Sequence, residues 1–231
     1  QAQWRRTLSQ DSDFLLRYAY SLDEGSESFI HPGGGTPYLY DPWGGKGQRH
    51  EIEAQHNTRL AESVRLAWGG SWREDSVSAP TTLINQGVVK REVGRVFGNF
   101  ELKPTQWVTG NLGLSWEEDS LAGSHFAPRA SLAFHLDPRN TVRIGTSRAY
   151  RTGSVVDYRG DWHNAAKYQF RGDPDMPAER MDTWEIGYIG DWRDWRMSLD
   201  VRLFDEKVYN RLLVIDRNES SDEIPDAMTA I

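Results

Sequence analysis

Residues 126–150 alternate strictly between apolar and polar positions. Phe126, Pro128, Ala130, Leu132, Phe134 and Leu136 share one face, and Ala127, Arg129, Ser131, Ala133 and His135 share the other. After Asp137-Pro138-Arg139-Asn140, Val142 and Ile144 fall on one side, with Arg143, Gly145 and Ser147 opposite. A two-residue period sends successive side chains to opposite faces of a strand, so the stretch reads as a hairpin with one apolar and one polar face. The turn has matching chemistry: Asp opens a type I turn and Pro fits its second position.

The same pattern recurs along the chain. Phe14, Leu16, Tyr18, Tyr20 and Leu22 oppose Arg17, Ala19 and Ser21. Ile52, Ala54, His56 and Leu60 oppose Glu51, Glu53, Gln55, Asn57 and Arg59, and Val64, Leu66, Trp68 and Trp72 oppose Arg65, Ala67 and Ser71. Further runs centre on Phe100, Leu112, Ile186 and Val201. With Trp4 to Leu8 included, the reading is all-β, with about ten strands, most near the roughly 9–11 residues that a membrane-spanning strand requires.

The connections alternate as well. Short links are expected at 9–12, 61–62, 103–106, 137–140 and 191–194, and long ones at 23–49, 76–92, 118–125, 152–179 and after Asp216. In an up-and-down meander every second connection lies at the same end of the sheet. Tight turns at one end and long loops at the other are the pattern of an outer-membrane barrel, and strict alternation is not expected of a soluble sandwich. The expectation is therefore an antiparallel up-and-down transmembrane β-barrel, incomplete over these strands.

Composition narrows the function. The 231 residues hold 38% hydrophobic and 26% charged side chains, which suits a barrel whose strands face a wet lumen on one side. A net charge of −7 argues against nucleic acid as a partner. The absence of cysteine excludes a disulfide framework and a thiolate metal site. The six histidines (His31, His50, His56, His125, His135 and His163) lack the helical spacing of a zinc site, so no metal and no cofactor are expected. Gly33-Gly34-Gly35 is not followed by Gly-Lys-Ser/Thr and reads as loop. Arg159-Gly160-Asp161 and Arg171-Gly172-Asp173 are three-residue matches to an adhesion tripeptide in Gly-rich loops and carry no weight. Asp173-Pro174-Asp175 reads as a turn with solvated carboxylates. No residue set supports catalysis, so the expectation is not an enzyme. Ten Trp and nine Tyr, many near strand ends (Trp4, Trp43, Trp72, Trp107, Trp116, Trp192 and Trp195), fit an interfacial aromatic girdle.

Phe126 to Phe134 resembles the "SPRLGLxY" strand of TonB-dependent outer-membrane receptors, and Thr141 to Ser154 is similar to their next strand, "TLRASYGRAFRAPS". Downstream, Asp173-Pro174-Asp175-Met176 with Glu179 and Trp184-Glu185-Ile186-Gly187-Tyr188 resembles "NPDLKPE…YELGY", and Leu199 to Phe204 resembles "LDVTAFY". Gly153 stands where the family has Pro, and the family's Pro-Glu is displaced to Pro177-Ala178-Glu179.

The resemblance implies an internal part, residues 1–231, of a 22-stranded receptor barrel in the bacterial outer membrane, with the plug domain and the barrel ends absent. It implies import of a scarce nutrient, a ferric siderophore first. Its partners would be outer-membrane lipid, the receptor's own plug, and a TonB-type energy transducer acting through the missing N-terminal part. It implies that Arg17, Glu51, Glu53, Arg59, Arg65, Glu101, Arg129, Arg143, Glu185, Asp200 and Arg202 face the lumen, where they pair with each other or with the plug. For ligand capture it directs attention to long-loop aromatics and cations: Tyr38, Tyr40, Trp43, Arg151, Tyr158, Trp162, His163, Tyr168 and Arg171. Aromatic faces and Arg forks suit flat or anionic chelates. Two alternatives stand beside this reading: a plug-free porin-like barrel, and a soluble or surface β-protein binding glycan through Trp-rich loops.

Overall fold

Ten strands, each followed in sequence by its neighbour in space, form one antiparallel sheet: β1 (Ala2–Ser9), β2 (Ser12–Gly25), β3 (Gly45–Ala61), β4 (Val64–Ser78), β5 (Val89–Thr105), β6 (Val108–Asp119), β7 (Gly123–Asp137), β8 (Asn140–Arg151), β9 (Glu179–Trp192) and β10 (Met197–Tyr209). The computed structural model describes residues 1–26, 29–31, 38–40, 44–164, 167–212, 214–215 and 228–230. Two connections carry structure of their own. Phe29–His31 pairs with Tyr38–Tyr40 between β2 and β3. The β8–β9 connection contains a short helix, α1 (Val155–Arg159), and a hairpin of Asp161–Asn164 with Lys167–Arg171. No helix among the described residues is long and apolar enough to cross a membrane, which says nothing of strands.

The up-and-down order expected from the sequence is present, but the strand limits move. Most strands run 12 to 17 residues, longer than the apolar runs that reveal them, because the ladders continue beyond the alternating pattern. One connection expected to be long is not: between β6 and β7 only residues 120–122 lie outside the ladder. Glu118 pairs with Ser124 and Glu117 with His125; the polarity of 118–125 marks strand ends standing in water. The connection expected at 76–92 shrinks to 79–88 for the same reason. The turn between β7 and β8 is held by Asp137, whose carboxylate accepts from the Arg139 N–H and the Asn140 side-chain amide, both at 2.7 Å. Every register irregularity in the ten-stranded sheet lies at the short-turn end, near Ser9, Ala61, Leu102 and Asn140. Bulges there add local twist, as they do at barrel rims.

Cross-strand register carries the two-face pattern through the sheet. Leu16, Ala54, Gly70, Val96, Trp116 and Phe126 lie in one row, and Phe134, Val142, Tyr188 and Val201 in another. These apolar side chains stay open: Val96 is 55% exposed, Trp184 66% and Leu203 68%. Charged residues follow directly on the same face towards the long-connection end: Glu74 after Trp72, Glu118 after Trp116, Asp182 before Trp184 and Asp205 after Leu203. The apolar positions thus form a band. From Val64 to Trp72 it spans nine residues, about 26 Å along a strand, which at the tilt of roughly 40° usual in such barrels is a band about 20 Å tall, somewhat under the roughly 25 Å of a full lipid-facing band.

The polar face is the concave one. Two clefts, of about 530 and 730 Å³, open on it and are lined chiefly by its side chains, Asn99 and Arg129 among them. Two further sheets among the described residues, one of four short strands (Asp161–Asn164, Lys167–Arg171, Met228–Ala230 and Val214–Ile215) and one of two, belong to the connections and the segment after β10 and form no layer over the ten-stranded sheet. β1 and β10 end the sheet and are exposed along their full lengths. Among the described residues few apolar side chains are buried: Leu83, Val93, Val155, Tyr158, Met176 and Ala178. All belong to the long-connection end.

Candidate functional site

The concave face is a wall of charges tied in register. Arg17 on β2 stands between two glutamates of β3, with its guanidinium 3.3 Å from Glu51 and 3.1 Å from Glu53. Asp75 on β4 holds Arg49 at 2.5 Å and Arg73 at 3.1 Å. Arg65 reaches Glu101 at 3.9 Å, Arg143 reaches Glu185 at 2.8 Å and Arg202 reaches Asp200 at 3.3 Å. Arg59 turns to Asp11 at 3.5 Å, and Arg129 donates to the Asn99 side-chain oxygen at 3.0 Å. Each sequence-selected wall residue falls on this face, because the side-chain period is two and the register has no slip within the band. The sequence runs stopped short of Arg49, Arg73, Asp75, Arg95, Glu117 and His125. Their signal was parity: each continues an alternation already in hand.

At the long-connection end the wall acquires a lid. Arg91 on β5 and Asp119 on β6 point inward and are buried, with side-chain exposures of 7% and 0%. The Arg91 guanidinium donates to both Asp119 oxygens, to the Gly153 carbonyl at 2.8 Å and to the Thr152 hydroxyl at 2.7 Å. Asp119 also accepts from the N–H groups of Leu121 and Ala122. Burial alone would raise the Asp119 pKa, but the Arg91 fork and these two N–H groups outweigh it and hold the carboxyl below its ordinary value. Asp119 lies beyond the apolar band, one residue past Glu118.

Through Thr152 and Gly153 this pair fastens the β8–β9 connection across the tops of β5 and β6. α1 begins in a capping box: Asp157 N–H donates to the Ser154 hydroxyl, and Ser154 N–H donates to the Asp157 carboxylate. The helix places Tyr158 beneath it, 1% exposed and packed on Met176, Leu121, Ala122 and Leu212. The Tyr158 oxygen accepts from Gly153 N–H at 3.3 Å, and Arg91 lies 6.0 Å from its ring centre. Gly153 thus explains its own departure from the family's Pro: its N–H is used, and a Cβ there would collide with Met176. Burial pushes the Tyr158 hydroxyl pKa up, against the smaller pull of the Gly153 N–H and the Arg91 charge. Residues 79–88 dock onto the same layer, with Asp161 N–H donating to the Thr82 carbonyl at 2.9 Å and Gln86 to the Arg159 carbonyl at 2.5 Å.

The residues selected for ligand capture are distributed unevenly. Arg151, Tyr158, Trp162 and Arg171 belong to the end of β8 and the connection that follows it. The Arg151 guanidinium is largely exposed, 3.5 Å from Glu179, and Arg171 is exposed. Trp162 is half-buried, and Tyr158 supports the layer from beneath without reaching solvent. Tyr38, Tyr40, His163 and Tyr168 lie on strands of the two loop hairpins, their side chains outside the described residues; Trp43 is outside them altogether. Among the described residues no group of three or more His, Cys, Asp or Glu side chains is placed to hold a metal ion.

Residues 1–225 match the family model described as TonB dependent receptor-like, beta-barrel. No curated relative matches the sequence. Among solved structures the chain is similar to a mutant ferric enterobactin receptor, PfeA, from Pseudomonas aeruginosa in complex with enterobactin, at a TM-score of 0.74 and 14% identity, covering 99% of this chain and 38% of that one. It is similar to the siderophore receptor PirA from Acinetobacter baumannii at a TM-score of 0.68 and 14% identity, covering 88% and 33%. The siderophore receptor PiuA from Acinetobacter baumannii gives 0.63 and 11%, with 87% and 38% covered. The chain thus spans well under half the length of these receptors.

Proposed function

The chain belongs to the TonB-dependent receptor family of outer-membrane β-barrels, transporters rather than enzymes, and on that premise we propose that it is barrel wall and extracellular loop of a receptor importing a ferric siderophore. Residues 1–231 are then an internal part of a larger barrel, continued beyond β1 and β10 and filled by a plug that meets the charged wall. The observation that carries the reading is the inverted sheet: an exposed apolar band on the convex face of every full-length strand, and paired charges on the concave one. A charge facing lipid at mid-membrane costs roughly 2–4 kcal/mol, so this sorting of faces is what a bilayer demands. The siderophore is supported by the names of the structural neighbours, which are ferric enterobactin and siderophore receptors. Energy would reach this wall from a TonB-type transducer through the plug. Long-connection residues Arg151, Trp162 and Arg171, with Tyr38, Tyr40, Trp43, His163 and Tyr168, are the candidates for first contact with the chelate, and Tyr158 sets the floor beneath them.

Deleting the gene for the parent protein tests this. Uptake of radiolabelled iron supplied as a catecholate siderophore should fall in iron-limited cells and return with the intact gene. Unchanged uptake across a panel of siderophores, with the protein present in the outer membrane, would refute the assignment.

A further inference from the structure

The ladder between β7 and β8 ends early. It runs from Asp137 and Asn140 to Arg129 and Ser147 and then stops. Both strands continue past that point: β7 stays paired with β6 as far as Gly123, and β8 with β9 as far as Arg151. Residues 123–128 and 148–151 therefore have no ladder pair between them. In every other adjacent pair of the ten-stranded sheet, the ladder runs at both ends to the limit of one strand or the other.

Pro128 sits at the break. It lacks the N–H that a ladder uses, and the β6 ladder passes it unbroken, with Leu114 opposite. The missing donor therefore falls on the β8 side, and over this stretch β7 has become an edge strand, the setting in which proline is tolerated. Side chains bridge the gap instead. Tyr150 belongs to the outward row, opposite Arg180 on β9. Its ring meets the buried His125 of the inward row edge-on, with centres 4.9 Å apart, and so lies across the seam. The 730 Å³ cleft of the concave face runs into the seam, with His125 and Ala127 on one side and Ala149 and Tyr150 on the other.

The seam divides the long-connection end into two bodies. One is the top of β5, β6 and β7, which carries Arg91 and Asp119. The other is the top of β8 and β9 with the connection between them. Arg91 joins them through Thr152 and Gly153, Tyr158 packs on Leu121 and Ala122, and Tyr150 meets His125. Residues 79–88 add an isolated bridge from Leu83 to Asp161 and the bond from Gln86 to Arg159. None of these contacts belongs to the ten-stranded ladder, so the two bodies can part without breaking the sheet.

We infer that β8 above Ser147, its partner stretch of β9 and residues 152–178 form a flap hinged on the wall at Pro128 and Ser147. Arg91 and Tyr150 latch it, and the structure shows it closed. Opening parts the wall itself along the seam and widens the polar cleft at no cost in ladder bonds. Hinges of this kind are element ends that absorb a backbone change, and here a strand pair is already unzipped at the place where it must bend. The flap stands on the sheet alone. Its use in import rests on the receptor reading: a bulky solute would gain room at the rim from movement of the wall.

The test uses the full-length parent receptor in detergent, spin-labelled in pairs for distance measurement by electron paramagnetic resonance. Lys90→Cys marks the fixed body, Asp175→Cys the connection and Ala149→Cys the strand above the seam; all three positions are exposed, and none of the 231 residues is cysteine. The pairs 90/175 and 90/149 are read with the latches intact and again in Asp119→Ala, which frees Arg91, and in Tyr150→Ala. Heat-modifiable migration checks the fold, and Tyr150→Ala decides if Asp119→Ala fails it. With the latches intact each pair should give one short distance, and unlatching should add a longer population to both. Lengthening of the 90/175 pair alone would mean that the connection loosens by itself, which overturns the hinge in the wall. So does no lengthening in either variant. Import is read separately with Ala127→Cys/Ala149→Cys, which face each other if the β7–β8 register is continued by two residues. With this staple oxidised, cells should lose uptake of radiolabelled iron supplied as a siderophore, and reduction should restore it. Full uptake with the staple closed removes the flap from import. No uptake even in wild-type cells, with both distances lengthening on unlatching, would sink the receptor reading and leave the flap.

Discussion

The middle of the sheet and its long-connection end obey opposite burial rules. In the middle, Leu112, Trp184 and Leu203 stand 43%, 66% and 68% exposed, uncovered by any of the described residues. At the loop end, Tyr158 and Leu83 are 1% exposed, and the Arg91–Asp119 ion pair beside Tyr158 is sealed from solvent. The same strands run through both regions. The difference is one of solvent: the band relies on lipid for its cover, whereas the loop end builds a small core like that of a water-soluble protein. A perturbation should therefore be felt in one region and not the other.

The largest separation is expected at Asp119. Asp119→Ala leaves the buried Arg91 charge without its partner, and breaking a buried pair in this way costs about 3–5 kcal/mol. Amide hydrogen exchange over residues 152–178 should accelerate by two orders of magnitude or more, while strand amides between Leu112 and Trp116 keep their protection. If both regions accelerate together, they are one cooperative unit and the contrast fails.

The reverse experiment places a charge in the band. Leu112→Arg faces the convex side near the middle of β6 and should cost roughly 2–4 kcal/mol in a bilayer. Urea unfolding of the parent receptor in lipid vesicles would measure it, with exchange over 152–178 unaffected. A cost below about 0.5 kcal/mol would mean that this face is not in hydrocarbon.

The band was legible because period two is a property of neighbours in sequence. Phe14 to Leu22 and Phe126 to Leu136 state their face residue by residue, and register simply joins them. The loop layer was not legible, because Arg91, Asp119, Gly153 and Tyr158 come from three separate segments and no local pattern announces that they meet. Tyr158 was picked as an aromatic in a polar loop, a description that fits a ligand contact and a buried keystone equally well. Likewise Glu118 and His125 read as loop because polarity was taken for irregularity, whereas strands that leave the membrane become polar on both faces without ending. Arg95 escaped because its run was counted only from Val96.

Alkali should loosen the loop layer and spare the band. The folded-state pKa of Tyr158 is raised above the unfolded value of about 10. Its contribution is therefore fully present below that value and is lost as pH rises through the folded-state pKa. Exchange over 152–178, corrected for its intrinsic pH dependence, should increase above about pH 10 in the wild-type protein. Tyr158→Phe, which has no proton to lose, should remove that increase. An alkaline transition of the same size in Tyr158→Phe would assign it to another group.

The smallest effect sharpens the contrast inside the loop layer itself. α1 has five residues, far too few to stand alone in water. Its geometry depends on the Ser154 capping box at its start and on the burial of Val155 and Tyr158. Ser154→Ala removes the hydroxyl that accepts from Asp157 N–H and should cost about 1 kcal/mol, less than the loss of Asp119 because the freed N–H is exposed and water can replace the hydroxyl. Exchange should rise about fivefold at residues 155–159 and hardly at all at 79–88, which hold the layer from the other side through Thr82 and Gln86. Equal acceleration of 79–88 would mean that the cap supports the whole layer and that the Arg91–Asp119 pair is not its anchor.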